Sequence, residues 1–244
     1  MSAPDRIREY FQQVTTQLEA VLEGQRDVLH QAAETWAAAI AADRMIYVFG
    51  SGHSRLIAGE LYWRAGGLAS VMVLDDPTEG AAERLEGYAA AITDPYDFGE
   101  GDVLIVISNS GINAVPIEVA REGKARGATV QAITALEHSL KAASRHSSGR
   151  RLFEIADQVL DTQGPYGDAA IAVSGREWRV AATSTVVSVT ILEAIVAQTA
   201  ELLVERGVEP PVLVSSNVPE GDAHNEQLGR RYWRRLARFP RRTL

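Results

Sequence analysis

The chain has no cysteine. That excludes disulfides, a thiolate nucleophile and any cysteine-based zinc site. Positive charge is in deficit: 24 Lys and Arg stand against 32 Asp and Glu, a net charge of −8, which argues against a general nucleic-acid partner. The chain does not open with a charged start and an apolar core, so no signal peptide is expected. No apolar run approaches the length that spans a bilayer. These absences together predict a cytoplasmic protein without a membrane partner. Histidine is scarce as well, with five in 244 residues, at positions 30, 53, 138, 146 and 224, so acid–base candidates are few. The one local exception to the acidic balance is the C-terminus. There Arg230, Arg231, Arg234, Arg235, Arg238, Arg241 and Arg242 alternate with Tyr232, Trp233, Leu236 and Phe239. A nucleic-acid or membrane contact is one reading of that pattern; the favoured one is a terminal helix with Leu228, Tyr232 and Leu236 packed inward and arginines on a solvated face or a subunit contact.

The most informative stretch that is present runs from Asp102 to Asn113. Val103-Leu104-Ile105-Val106-Ile107 is an unbroken apolar run, the habit of a strand buried on both faces of a parallel sheet. It gives way to Ser108-Asn109-Ser110-Gly111, just where a helix starting near Asn113 would present unpaired N–H groups and the positive end of its dipole. Small hydroxyl side chains at that point leave room for a phosphate, although Ser and Asn also make ordinary N-cap turns. A second pair of the same kind precedes it: Met45 to Phe49, followed by Gly50-Ser51-Gly52-His53-Ser54.

The order of elements is regular. Residues 5–41 carry Ile7, Phe11, Val14, Leu18, Val21 and Leu22 at helical spacing, as one helix or as two broken at Gly24. After the first strand come a helix over 53–65, a strand over 70–74, a helix near 79–91 and the strand over 103–107. A helix over 113–126 follows, then a strand over 129–134, a helix from near Glu137, a strand over 158–160 and a long helix over 180–206. Residues 144–151 read as a mobile polar loop. Alternation of this kind predicts an α/β fold with a doubly wound, five-stranded parallel sheet and extra N- and C-terminal helices. Right-handed crossovers then bring both glycine-rich turns to one edge of the sheet. Residues 1–44 form a helical segment expected to pack across an oligomer interface, and residues 45–244 form the ligand-binding domain with its C-terminal helix.

At these residues the chain resembles the sugar isomerase (SIS) domain family. Ser108-Asn109-Ser110-Gly111 is similar to the family's Ser-x-Ser-Gly phosphate loop, and Gly50 to Ser54 to its first glycine-rich loop. The segment Asn217-Val218-Pro219-Glu220-Gly221-Asp222-Ala223-His224-Asn225 resembles a subgroup of about this length labelled phosphosugar or phosphoheptose isomerases. The resemblance covers most of the chain and implies a flavodoxin-like fold. It also implies a phosphorylated sugar as ligand, no cofactor, and a homodimer or homotetramer. The expected reaction is aldose–ketose isomerisation of a sugar phosphate. Elimination at a sugar phosphate (etherase or lyase chemistry) and a non-catalytic sugar-phosphate sensor remain open. Sensors of this family usually carry a DNA-binding domain, and no helix-turn-helix precedes residue 45.

Isomerisation needs an anchor for the substrate, a base to move a proton between adjacent carbons, and a group that polarises the carbonyl. The anchor falls to Ser108, Ser110 and Asn113 with backbone N–H groups of Asn109 to Gly111. Ser54 reaches the same phosphate or the sugar hydroxyls, flanked by Gly52 and His53. Glu60 shares a helix face with His53, and some SIS isomerases use a glutamate on this helix, so Glu60 is the expected base; the alternative is a surface carboxylate. His224 is the second proton-transfer candidate, by analogy with relatives that take a histidine from a C-terminal segment, often across a subunit interface. Asp168, in the turn Gly164-Pro165-Tyr166-Gly167-Asp168, and Ser184, opening the long helix, are candidate sugar contacts or plain turn and cap residues. His53, His224, Asp168 and Asp222 show no metal spacing, and no metal is expected. A nicotinamide enzyme is the rival reading, from Gly50-x-Gly52 with Asp75 and Asp76 after the next strand. Arg55 stands at the third glycine position, where a side chain crowds the helix–strand contact.

Overall fold

A computed structural model describes residues 4–236, with side chains to residue 232. The inward packing expected of Leu236, and the roles of Trp233, Arg234, Arg235, Arg238, Phe239, Arg241 and Arg242, lie outside what is described.

Five parallel strands form the sheet: β1 (Ile46–Gly50), β2 (Val71–Val73), β3 (Val103–Ile107), β4 (Thr129–Thr134) and β5 (Gln158–Asp161), in the order β2-β1-β3-β4-β5. The apolar runs are continuous because the strands are covered on both sides. Ile46 and Val48 of β1, with Val103, Ile105 and Ile107 of β3, face one helical layer. Tyr47 and Phe49, with Leu104 and Val106, face the other. The first layer holds α1 (Arg6–Ala41), α2 (Ser54–Glu60) and α6 (Ser184–Glu205). The second holds α3 (Ala89–Thr93) and α4 (Ala114–Ala125), with Leu228 and Tyr232 of α7 (Gly221–Leu236) packed against it. The short α5 (Leu136–Lys141) lies between β4 and β5.

Several elements differ from the sequence reading. The first helix is unbroken, with Gly24 inside it, and Asp5 caps it by accepting from Arg8 N–H at 3.0 Å. Its second half is part of the core. Ala32, Ala33, Trp36 and Ile40 are buried against α6 and the sheet, and Trp36 donates to Gln131 Oε1 on β4 at 2.7 Å. Only the first half leaves large apolar side chains exposed, among them Ile7, Phe11 and Leu22. The helix read over 79–91 shrinks to the five residues of α3. Asp76 explains this: its carboxylate accepts from Thr78 N–H and Gly80 N–H at 2.9 and 2.8 Å, which folds residues 76–80 into a turn. Gly80 and Gly87 then adopt positive φ. The long helix begins at Ser184 rather than 180, because Arg179–Ala182 forms β7, paired antiparallel with β6 (Ala169–Ala172). It is 22 residues long and holds an 18-residue stretch with a mean hydropathy of 1.7, by length and composition enough to cross a membrane. Scattered Ser, Thr, Gln and Glu hide that from a search for unbroken runs. In the fold Val187, Ile191, Leu192, Ile195 and Val196 of this helix are buried in the core.

Candidate functional site

The sheet order places β1 and β3 side by side while their crossovers leave in opposite directions, so the crevice beyond their carboxyl ends is the topological switch point. Register aligns Gly50 with Ile107. The two polar turns therefore begin at the same height on neighbouring strands. A cleft of about 440 Å³ opens there, lined by Ser51, Gly52, His53 and Ser54 from the first turn and by Ser108, Asn109, Ser110 and Asn113 from the second. Glu79, Gly80, Glu83, His138, Gly167, Asp168, Ser184 and Thr185 complete it.

Close backbone packing shapes the floor. A Cβ on Gly50 would lie 2.3 Å from the Ser54 carbonyl oxygen, and one on Gly80 would lie 2.4 Å from the Gly52 nitrogen. The first turn and the 76–80 turn thus touch through their main chains, which carries Glu79 and Glu83 into the cleft. Gly111, at φ +64°, would put a Cβ 2.9 Å from the hydroxyls of Ser139 and Thr134. In the second turn Ser108 Oγ accepts from Gly111 N–H at 3.2 Å. The backbone N–H groups of Asn109 and Ser110 donate to no protein acceptor among the described residues. Asn113 is the extended N-cap of α4, and its Oδ1 accepts from Arg145 Nη1 at 2.9 Å. Buried Ser51 Oγ and Asn109 Oδ1 have no hydrogen-bond partner among the described residues. Such orphans are costly in a dry core and are natural contacts for a polar ligand.

His138 was not singled out from the sequence, yet it lines the cleft. Its Nδ1 accepts from Gly167 N–H at 3.1 Å, and its ring stacks on Tyr166 with centroids 4.7 Å apart. The neutral ring therefore carries its proton on Nε2. Burial pushes its pKa below the usual 6.5, with Arg145 lowering it further and Asp168 opposing. Glu79 pairs with Arg55 at 3.2 Å, whereas Glu83 has no ion pair among the described residues. Asp168, at φ +69°, accepts from Thr183 N–H and Ser184 N–H at 3.2 and 2.9 Å and from Ser184 Oγ at 2.6 Å. It caps α6 from a distant loop, and both residues line the cleft.

Two expected proton-transfer residues lie elsewhere. Glu60 ends α2, which runs away from the cleft; six residues of helix carry it about 9 Å from Ser54. It is exposed and paired with Arg64. His224 donates from Nε2 to the Val212 carbonyl at 2.8 Å. That segment bridges to Leu68, ahead of β2, at the other end of the strand from the cleft. Asp76, one of the two acidic residues of the nicotinamide reading, has both oxygens committed to the 76–80 turn. No local pattern marked Glu79, Glu83 or His138; they reach the cleft through a turn and a short helix that no periodicity announces.

A family model described as SIS domain matches residues 9–135. Among curated relatives, a UPF0309 protein of Geobacillus thermodenitrificans (strain NG80-2) is 40% identical over 94% of this chain and 96% of its own length. Another, of Halalkalibacterium halodurans, is 40% identical over 88% of this chain and 93% of its own. Of solved structures, the phosphoheptose isomerase GmhA from Neisseria gonorrhoeae superposes with a TM-score of 0.58 at 18% identity, covering 81% of this chain and 98% of that one. The sugar isomerase domain of an RpiR transcription factor from Sphaerobacter thermophilus gives 0.52 at 19%, covering 91% and 97%. NanR of Vibrio vulnificus, complexed with ManNAc-6P, gives 0.52 at 16%, covering 96% and 71%. At these identities the likeness establishes a shared fold.

Proposed function

The chain belongs to the SIS domain family, and from that premise we propose that its cleft binds a phosphorylated sugar and interconverts its aldose and ketose forms. The observation that carries this is the convergence of two glycine- and serine-rich turns on one crevice, with buried Ser51 Oγ and Asn109 Oδ1 left unpartnered. The phosphate sits at the start of α4, held by the Ser108 and Ser110 hydroxyls and the N–H groups of Asn109 and Ser110. Arg145, fixed to Asn113, adds positive charge at the rim. Glu83 is the base. It takes the proton from the carbon next to the carbonyl, and His138 Nε2–H donates to the carbonyl oxygen as the enediol forms. Return of the carbon proton to the former carbonyl carbon, with loss of the hydroxyl proton from the carbon first deprotonated, makes the new carbonyl; His138 Nε2 recovers its proton from that hydroxyl.

A panel of sugar phosphates, each paired with its unphosphorylated sugar, tests the binding step by thermal stabilisation. Deuterium exchange at C1 and C2 of the stabilising members tests the chemistry even where equilibrium hides net turnover. Binding with no exchange in any member overturns the isomerase and leaves a sensor; no stabilisation by any member overturns both. Association into a dimer or tetramer belongs to the same proposal, with exposed Ile7, Phe11 and Leu22 of α1 covered by a second copy. Light scattering would then show a smaller particle for Phe11→Asp, and an unchanged mass would reject that contact. A cytoplasmic location is proposed with it; fractionation of cells would settle that point.

A further inference from the structure

Outside the cleft, three segments far apart in sequence bring Glu86, Glu118 and His146 together, with one ligand atom of each within 4.8 Å of the others. We propose that this cluster is a binding site for one divalent first-row metal ion, of which Mn²⁺ and Zn²⁺ are the natural candidates, and that the ion staples the 144–151 segment to the body of the domain. The donor set is one imidazole nitrogen and two carboxylate oxygens, a combination suited to these ions.

Charge balance points the same way. Neither carboxylate has a Lys or Arg partner among the described residues, and the basic group that faces Glu118 is the His146 imidazole. Two negative groups this close repel one another unless a cation sits between them. His146 is buried, its side chain 5% exposed. Its Nδ1 accepts from Ser148 N–H at 3.0 Å and lies 2.7 Å from Ser148 Oγ, so the neutral ring holds its proton on Nε2. Nε2–H is directed at the carboxylates, 3.5 Å from Glu118 Oε1, at the outer limit of any hydrogen bond. An ion there would take the place of that proton, and Ser148 Oγ can accept from Nδ1–H once the ring changes tautomer. A nitrogen buried, oriented from behind and loosely partnered in front is the arrangement a metal-ligating histidine takes.

The carboxylates are oriented too. Glu118 accepts from Gly87 N–H at 2.7 and 2.9 Å through its two oxygens. Glu86 accepts from Ser147 N–H and Ser147 Oγ, each at 2.6 Å. These bonds hold the set in place while a small rotation of the exposed Glu86 side chain closes it on the ion.

The position of the site suggests what the metal does. His146 follows Arg145, which donates through N–H to the Ile112 carbonyl at 2.8 Å and through Nη1 to Asn113 Oδ1. Glu86 lies three residues beyond Glu83. Both walls of the cleft therefore run directly into the cluster. A bound ion would tie them to α4, a structural role that does not depend on the chemistry proposed for the cleft.

The test uses the full-length protein freed of metal by a chelator and titrated with MnCl₂ alone, followed by electron paramagnetic resonance and calorimetry. One ion per chain is expected. Affinity should fall by more than about 100-fold in His146→Gln, more than loss of an outer-shell partner costs. Should that variant fold poorly, Glu86→Gln changes an exposed side chain and should weaken binding in the same direction. Mn²⁺ should also slow tryptic cleavage after Arg145 and Arg150 in the parent but not in the variants. Failure to bind Mn²⁺ and, in a parallel titration, Zn²⁺ overturns the proposal. So does equal binding in parent and variants, which would place the ion elsewhere. Neither result bears on sugar-phosphate binding, which the panel above decides separately.

Discussion

The two polar turns leave neighbouring strands at the same height, yet they differ in what stands behind them. The turn after β3 feeds the 12-residue α4, whose Val115, Ile117, Val119 and Ala120 are buried. The turn after β1 feeds a seven-residue helix with only Ile57 and Ala58 buried. A helix dipole is the sum of aligned peptides, so the longer, better anchored helix presents the firmer positive pole. Both turns leave backbone N–H groups without a protein acceptor among the described residues, Asn109 and Ser110 in one and Gly52 and His53 in the other, but the β1 turn is pressed against the main chain of the 76–80 turn. In the proposed reading the β3 turn holds the anion and the β1 turn shapes the space around it.

Substitutions can break that contrast in turn. The largest effect is expected at Gly50. Its Cβ would meet the Ser54 carbonyl at 2.3 Å, main chain that cannot swing aside. Gly50→Ala should cost about 3 kcal/mol or more in chemical denaturation. Gly111→Ala faces rotatable hydroxyls and an unfavourable φ instead, and should cost about 1–2 kcal/mol. Equal costs would deny that the β1 turn is the more rigid of the two.

Next comes the chemistry between the turns. His138→Gln should slow deuterium exchange by about 10²–10⁴-fold with little change in binding. In the parent protein the exchange rate should hold level at neutral pH and fall as pH drops through a midpoint below 6.5, the side to which burial moves this histidine. A proton added at Nδ1 would replace the acceptor for Gly167 N–H with a second donor and release the ring. The sign for folding is the same. The unfolded histidine takes its proton at the higher pH, so stability declines as pH falls from 6.5 through the folded value. A midpoint above 6.5 would remove His138 from the mechanism.

Ser108→Ala/Ser110→Ala should weaken sugar-phosphate binding by about 100-fold, two hydrogen bonds to a charged group being lost. Unphosphorylated sugars should be unaffected, and Ser54→Ala should lose less. The reverse order would make the β1 turn the anchor. Glu60→Gln marks the small end. Loss of an exposed pair with Arg64 should change stability by no more than about 0.5 kcal/mol and leave exchange within a few-fold. A large loss of exchange would return Glu60 to the site, through a rearrangement or a second subunit.

Much of this was legible along the chain. The runs Met45–Phe49 and Val103–Ile107, each ending in Gly, Ser and Asn, announce buried parallel strands and their ligand edge. The alternation of elements gives the doubly wound order. Legibility ends where the deciding contacts are long-range. Asp76 turns a helical pattern into a tight loop by capping its own N–H groups. Arg179–Ala182 leaves the long helix to pair with Ala169–Ala172. Glu60 keeps its helix but is carried away from the cleft by the direction in which that helix runs.

Sequence alone determined the fold class, the family and the cleft-lining turn Ser108 to Asn113, because strand burial and turn chemistry are written in neighbouring residues. Tertiary structure alone decided which acid–base groups line the cleft. Glu83 and His138 come from separate crossovers, and only main-chain packing at Gly50, Gly80 and Gly111 brings them to one crevice. The meeting of Glu86, Glu118 and His146 has the same origin. A site assembled from side chains dozens of residues apart has no period or spacing in the sequence, since the distances that define it run through space.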